Sequence, residues 1–107
     1  MVFNTGAALL DAIVLAVVSK EEDGTYGYKI TQDVRRAIDV SESTLYPVLR
    51  RLQKDGCLEV YDVECGGRNR RYYKITPRGL GQRDLYKAEW AEYSSKITEL
   101  FSGEEIV

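Results

Sequence analysis

Residues 43–56 read Ser-Thr-Leu-Tyr-Pro-Val-Leu-Arg-Arg-Leu-Gln-Lys-Asp-Gly, and the rest of the chain falls into place around them. Wound at about 100° per residue, Leu45, Val48, Leu49 and Leu52 gather within roughly 100° of arc. Ser43, Pro47, Arg50 and Lys54 take the opposite side, with Thr44, Tyr46 and Arg51 at its margins. The apolar stripe predicts an amphipathic helix over residues 43–55, closed by Gly56 as a C-terminal cap. Pro47 lacks an N–H and is comfortable only in a first turn. The helix is therefore expected to begin near Ser43 or Thr44, with one of these hydroxyls capping it. An outward face of small hydroxyls, an aromatic ring and three cations suits a helix lying in a DNA major groove. The plain alternative is a solvated helix face.

Upstream, residues 39–42 form a turn, and Ile30, Val34, Ala37 and Ile38 mark a helix over 26–38. A polar loop over 21–25 separates it from a first helix over 5–20. That first helix is apolar around nearly its whole circumference, so it must be buried on more than one side. In so short a chain the second burying surface reads as another subunit, with Leu10 and Val14 facing it. The alternative is a buried strand rich in β-branched residues.

Downstream, Leu58 and Val60 alternate with Glu59, and Tyr73 and Ile75 share one face of a second run. These predict strands over 57–64 and 71–76, a β-hairpin whose intervening turn carries Gly66, Gly67, Arg68, Asn69 and Arg70. The glycines permit positive φ, and Arg68, Arg70 and Arg71 can then reach phosphates or a minor groove. A merely solvated hairpin tip is the competing reading. Thr76 and Pro77 form a strong helix start, as cap and first residue. In the helix over 77–102, Tyr86, Trp90, Tyr93, Ile97 and Leu100 are spaced four, three, four and three apart. That is a short heptad seam, the pattern by which helices pair side by side.

The charge follows the same plan. The net charge is −2, yet residues 50–78 carry eight bases against four acids, while residues 1–24 and 79–107 each carry −3. A basic face on an acidic body is expected, and phosphate affinity depends on the face. At 107 residues, 44% hydrophobic and 30% charged, the composition is that of one soluble globular domain. The apolar run over 7–18 is broken by Asp11 and is too short to span a bilayer, which needs roughly 20 apolar residues. It also lacks the flanks of a signal peptide, so a cytoplasmic location is expected. If Cys57 and Cys65 share one strand they lie roughly 26 Å apart, which excludes an intrachain disulfide. The chain contains no histidine, no P-loop and no dinucleotide-binding fingerprint. Neither an enzyme nor a metal or other cofactor is expected.

Helix, helix, turn, helix, basic hairpin and a long pairing helix is the order of a winged helix-turn-helix. The fold expected is α+β, mainly α with a small β-hairpin. Residues 1–76 form the DNA-binding region and residues 77–107 a C-terminal dimerisation helix, within one compact domain. The stretches Tyr26–Gly27–Tyr28–Lys29–Ile30, Ser43 through Gly56, and Arg70 through Gly79 closely resemble the PadR-like transcriptional regulators, in the subfamily with a single C-terminal dimerisation helix. The resemblance covers nearly the whole chain, and the Thr-Leu-Tyr-Pro block is its most specific part.

The resemblance implies a repressor that binds a pseudo-palindromic operator on double-stranded DNA as a homodimer. By position, Tyr26 and Lys29 would hold phosphates. Thr44, Tyr46, Pro47 and Arg50 would lie against the groove, and the wing from Arg68 to Arg71 would touch the backbone beside it. Ser43 stands where the family commonly has glycine, and Cys65 is not required by its pattern. Some members bind flat aromatic or hydrophobic compounds at the dimer interface, a role open to Tyr86, Trp90 and Tyr93. The alternatives are redox control through Cys65, and a sensing winged helix whose main partner is another protein.

Overall fold

The computed structural model describes residues 5–103. Helix α1 (Thr5–Ser19) leads into a two-residue strand β1 (Thr25–Tyr26), helix α2 (Gly27–Val34) and helix α3 (Glu42–Lys54). Strands β2 (Leu58–Cys65) and β3 (Arg68–Ile75) follow, then helix α4 (Pro77–Ser102). The fold is the expected α+β winged arrangement with a long C-terminal helix. Its sheet has three antiparallel strands rather than two, in the order β1-β3-β2.

One core joins these elements. Val14, Leu15 and Val18 of α1 meet Ile30 and Val34 of α2 and the α3 stripe of Leu45, Val48, Leu49 and Leu52. Leu58 and Tyr73 close it from the sheet. Each fully enclosed side chain of this size contributes about 1.5–3 kcal/mol relative to exposure. Val14, expected at a subunit interface, is instead fully enclosed by its own chain. Leu10 lies at the core's margin, half-buried.

Helix α3 starts earlier than Pro47 suggested. Ser41 caps it, its Oγ accepting from the Thr44 N–H at 3.3 Å, so neither Ser43 nor Thr44 is the cap. Glu42 in the first turn suits the positive end of the helix dipole. Pro47 then falls in the second turn, where the missing N–H costs one bond to the Ser43 carbonyl on an exposed face. The end of α3 is as read from Gly56, which has φ +80°. The Gly56 N–H donates to the Gln53 carbonyl and the Cys57 N–H to that of Leu52, the paired bonds of a Schellman stop.

Helix α2 is shorter than expected at both ends. Tyr26 is extended (φ −111°, ψ 163°) because it pairs with Tyr72 at the edge of β3. Residues 35–37 continue only as a turn. The hairpin strands run further than expected, because the turn is two residues long. Gly66 (φ +56°) and Gly67 (φ +83°) carry the positive φ pair of a type I′ turn, which matches the strands' own twist. Arg68, Asn69 and Arg70, expected in the turn, therefore join Arg71 in strand β3. Pleating divides its residues: Arg70 and Tyr72 face outward, while Arg71 and Tyr73 share the face that continues into the core.

Helix α4 begins as expected. Thr76 Oγ1 accepts from the Gly79 N–H at 3.0 Å and donates to the Gly56 carbonyl at 2.6 Å, tying the starts of α4 and β2 together. Pro47 aside, the remaining proline, Pro77, sits at the first position of α4. Cys57 is buried and Cys65 exposed, and both are free. No helix of the described residues is long and apolar enough to cross a membrane.

Candidate nucleic-acid interface

The outward face of α3, the start of α2 and the wing meet around one open cleft of about 400 Å³. Tyr46 and Arg50 come from α3, Asn69, Arg70 and Arg71 from β3, and Tyr26 from β1. These six sequence-predicted residues come from three separate segments of the chain, and the fold brings them together. The cleft also includes Gly27, Tyr28 and Tyr73, which sequence reasoning missed. Tyr28 is exposed at the site's rim, where its hydroxyl accepts from Gln32 Nε2 at 2.7 Å.

Gly27 has a definite steric role. A Cβ there would stand 3.0 Å from the Tyr46 hydroxyl oxygen and 3.1 Å from a ring carbon. The bare backbone of α2 is thus the surface on which the Tyr46 ring lies. Tyr73 forms the floor. Burial pushes its phenol pKa up, and the nearby Arg71 and Arg50 charges only partly offset that rise. The two arginines, from different elements, therefore act on one point of the cleft. Arg70 turns the other way, its guanidinium carbon 4.3 Å from the centre of the Tyr26 ring.

Other predicted residues lie outside the cleft lining. Ser43 and Thr44 sit beside the α3 cap, their hydroxyls within 2.9 and 3.1 Å of Ser41 Oγ. Pro47 and Lys54 are exposed along the same helix, and Arg68 is exposed beside the hairpin turn. Arg51 is directed toward the body of the molecule, where its guanidinium pairs with Asp11 on α1. Burial raises the Asp11 carboxyl pKa, and Arg51 partly offsets that rise. Lys29 is engaged by Glu21 at 2.9 Å and Asp33 at 3.0 Å, and these two carboxylates raise its pKa. A lysine held by two acids offers less net charge to a phosphate than the sequence implied. Neither pairing left a sequence signal except Asp33, four residues beyond Lys29.

The seam residues of α4 are split by the fold. Tyr86 packs against the core, Tyr93 and Ile97 are half-buried, and Trp90 and Leu100 are 47% and 70% exposed. Trp90 and Tyr93 rings lie 6.2 Å apart. Between α1 and α4 runs an apolar groove of about 250 Å³, lined by Ala12, Ile13, Ala16, Tyr86 and Trp90, with Arg83 and Lys87 at its rim.

This architecture has close counterparts. The crystal structure of smu.1704 from Streptococcus mutans UA159 is 36% identical, with a TM-score of 0.85 over 100% of this chain and 99% of that one. The PadR-like transcriptional regulator BC4206 from Bacillus cereus strain ATCC 14579 is 32% identical, with a TM-score of 0.79 over 90% and 94% of the two chains. PadR from Bacillus subtilis, solved in complex with operator DNA, shares the fold at 20% identity and a TM-score of 0.66, over 73% of this chain and 46% of that one. The family description "Transcriptional regulator PadR-like family" matches residues 14–86. That match takes in α2, α3, the hairpin and the first turns of α4 as one continuous unit, and the chain accordingly belongs to the PadR-like family of transcriptional regulators.

Proposed function

We propose that this chain is a sequence-specific DNA-binding repressor acting in the cytoplasm as a homodimer on a pseudo-palindromic operator. Its family consists of transcriptional regulators, not enzymes. The observation that carries the reading is the convergence of Arg50, Asn69, Arg70 and Arg71 around one cleft, from a helix and a wing that are separate elements. Operator DNA bound to a protein of the same fold, the Bacillus subtilis PadR, supports it. Arg50, on the exposed face of α3, reads base edges, together with Tyr46, Thr44, Ser43 and Pro47. Arg68, Asn69, Arg70 and Arg71 hold the backbone beside that groove, with Lys54 at the flank. Arg51 and Lys29, each already in an ion pair, contribute long-range charge more than direct contacts.

The test uses a duplex from the DNA immediately upstream of the chain's own coding sequence, titrated by fluorescence anisotropy over a salt series. Affinity is expected to fall steeply with salt, because each phosphate contact releases counterions. Arg50→Ala should cost about 1–3 kcal/mol on that duplex and little on a scrambled one. Arg70→Ala should weaken both alike and flatten the salt slope by about one unit. Binding indifferent to salt would instead favour a winged helix used for protein contacts.

The groove between α1 and α4 supports a second reading, release of the DNA by a flat aromatic or hydrophobic effector. Its walls are apolar, and Trp90 offers a stacking surface. Titration with a flat cationic dye should quench Trp90 fluorescence, and unchanged fluorescence removes the effector from the proposal.

A further inference from the structure

Strand register lines up three tyrosines in one row. Tyr26 of β1 and Tyr61 of β2 are both direct partners of Tyr72 on β3, so the row crosses the whole sheet on its outward face. Tyr61 and Tyr72 rings stack at 5.7 Å with 25° between their planes, and Tyr72 and Tyr26 follow at 5.6 Å and 55°. One end is anchored, since the Tyr61 hydroxyl donates to the Asp23 carbonyl in the loop after α1. At the other end lies Arg70, on the same face as Tyr72 and diagonal to Tyr26. Its guanidinium carbon stands 4.3 Å from the Tyr26 ring centre. Strand β1 stops at Tyr26, where the chain turns into α2. Arg70 keeps its β2 partner Val63, but on the β1 side no further strand residue stands beside it among the described residues, and the Tyr26 ring face takes that place.

We infer that the tyrosine row is a positioning device for the wing, with Tyr26 holding Arg70 through its ring face and not holding phosphate through its hydroxyl. A guanidinium over an aromatic face is attracted by the ring's quadrupole and keeps its N–H edge free. An arginine already held in this way loses less side-chain freedom on meeting a phosphate than one waving in solvent. Tyr72 and Tyr61 act one step further back. Cross-strand aromatic pairs fix the sheet on which the Tyr26 ring rests. The inference rests on the DNA-binding reading above for its consequence, but the ring–guanidinium contact itself belongs to the free protein.

Two measurements separate these layers. In the free protein, the Arg70 δ-methylene protons should show an upfield ring-current shift by NMR. It should persist in Tyr26→Phe and vanish in Tyr26→Leu. A mixed-sequence duplex at low salt then reports phosphate binding. Tyr26→Leu and Arg70→Ala should each weaken it by about three- to tenfold. The double variant should be no weaker than Arg70→Ala alone, and Tyr26→Phe should stay within about twofold of the parent. Should Tyr26→Leu melt early, Tyr72→Leu offers a milder disturbance of the row, expected to reduce the Arg70 ring-current shift.

Three results would overturn the inference. They are an absent ring-current shift, a Tyr26→Phe loss as large as that of Tyr26→Leu, and additive losses in the double variant. A parent protein that shows the ring-current shift but binds no duplex at low salt would refute the DNA-binding reading, leaving the contact between Tyr26 and Arg70 intact.

Discussion

A methyl group added at Gly27 meets only the edge of the Tyr46 ring, whereas one added at Gly79 would stand 2.2 Å from the Cys57 carbonyl oxygen. The two glycines therefore answer to different constraints. Tyr46 is 37% exposed and can swing by the few tenths of an ångström that an alanine needs. Alanine also favours the helix that begins there, by up to about 1 kcal/mol over glycine. Gly27→Ala should thus leave stability unchanged or slightly higher, while moving the Tyr46 ring and weakening operator binding. The Gly79 contact is with backbone on both sides, and neither α4 nor the start of β2 can yield without breaking the bonds of Thr76. Gly79→Ala should cost more than about 2 kcal/mol. Urea denaturation of both variants, with anisotropy on the folded one, checks the pair. Equal destabilisation would mean that Tyr46 is as immobile as the backbone. Neither role is legible from sequence, where both glycines stand as helix-disfavouring residues near predicted helix starts.

Elements were legible where their signals are local and repeated. The α3 stripe of Leu45, Val48, Leu49 and Leu52 recurs over two turns, and all four side chains are buried where it pointed. Gly56 and the Thr76–Pro77 start acted as read. Strand β1 escaped notice because two residues carry no periodicity. It exists through its register with Tyr72 and Tyr73, long-range partners nearly fifty residues away. The α3 start was misplaced for a different reason, the competition between two local rules. Proline's preference for a first turn pointed to Ser43 or Thr44, and the capping bond from Ser41 prevailed because one missing N–H on a solvated face is a small penalty. The variants make this distinction measurable. Ser41→Ala removes the side-chain acceptor for the Thr44 N–H, leaving only the Ser41 carbonyl, and should destabilise the protein by about 1 kcal/mol. Ser43→Ala leaves that bond in place and should change stability by less than about 0.5 kcal/mol. Thermal or urea unfolding that ranks Ser43 above Ser41 would return the cap to the position the proline suggested.

At the scale of the whole molecule, the long α4 dominates the shape, which extends 59 Å in one direction and 27 and 20 Å in the others. Its apolar surface is only partly used by its own chain. Tyr86 reaches the core, but Leu85 and Trp90 are about half exposed, and Leu100 and Phe101 are 70% and 90% exposed. Beside them, Ala12, Ile13 and Ala16 leave the far side of α1 lining an apolar groove. Exposed apolar surface of this extent on two packed helices marks protein contacts more often than solvent. The second side of α1 that the sequence marked for burial is thus this groove face, and Val14 belongs to the first. A homodimer joined through α1 and α4 would cover both. The prediction is a concentration-dependent melting temperature for the parent protein, since assembly stabilises the folded state by mass action. Trp90→Glu introduces a charge into that surface and should yield a monomer by light scattering, with its secondary structure retained. That monomer should bind a single half-site about as well as the parent does, and a full palindrome much more weakly, because two-fold DNA sites are read by two linked half-site contacts. A Trp90→Glu protein that remains dimeric would remove this face of α4 from the assembly, and a monomer that still binds the palindrome tightly would leave the wing and α3 to bind DNA as a single copy.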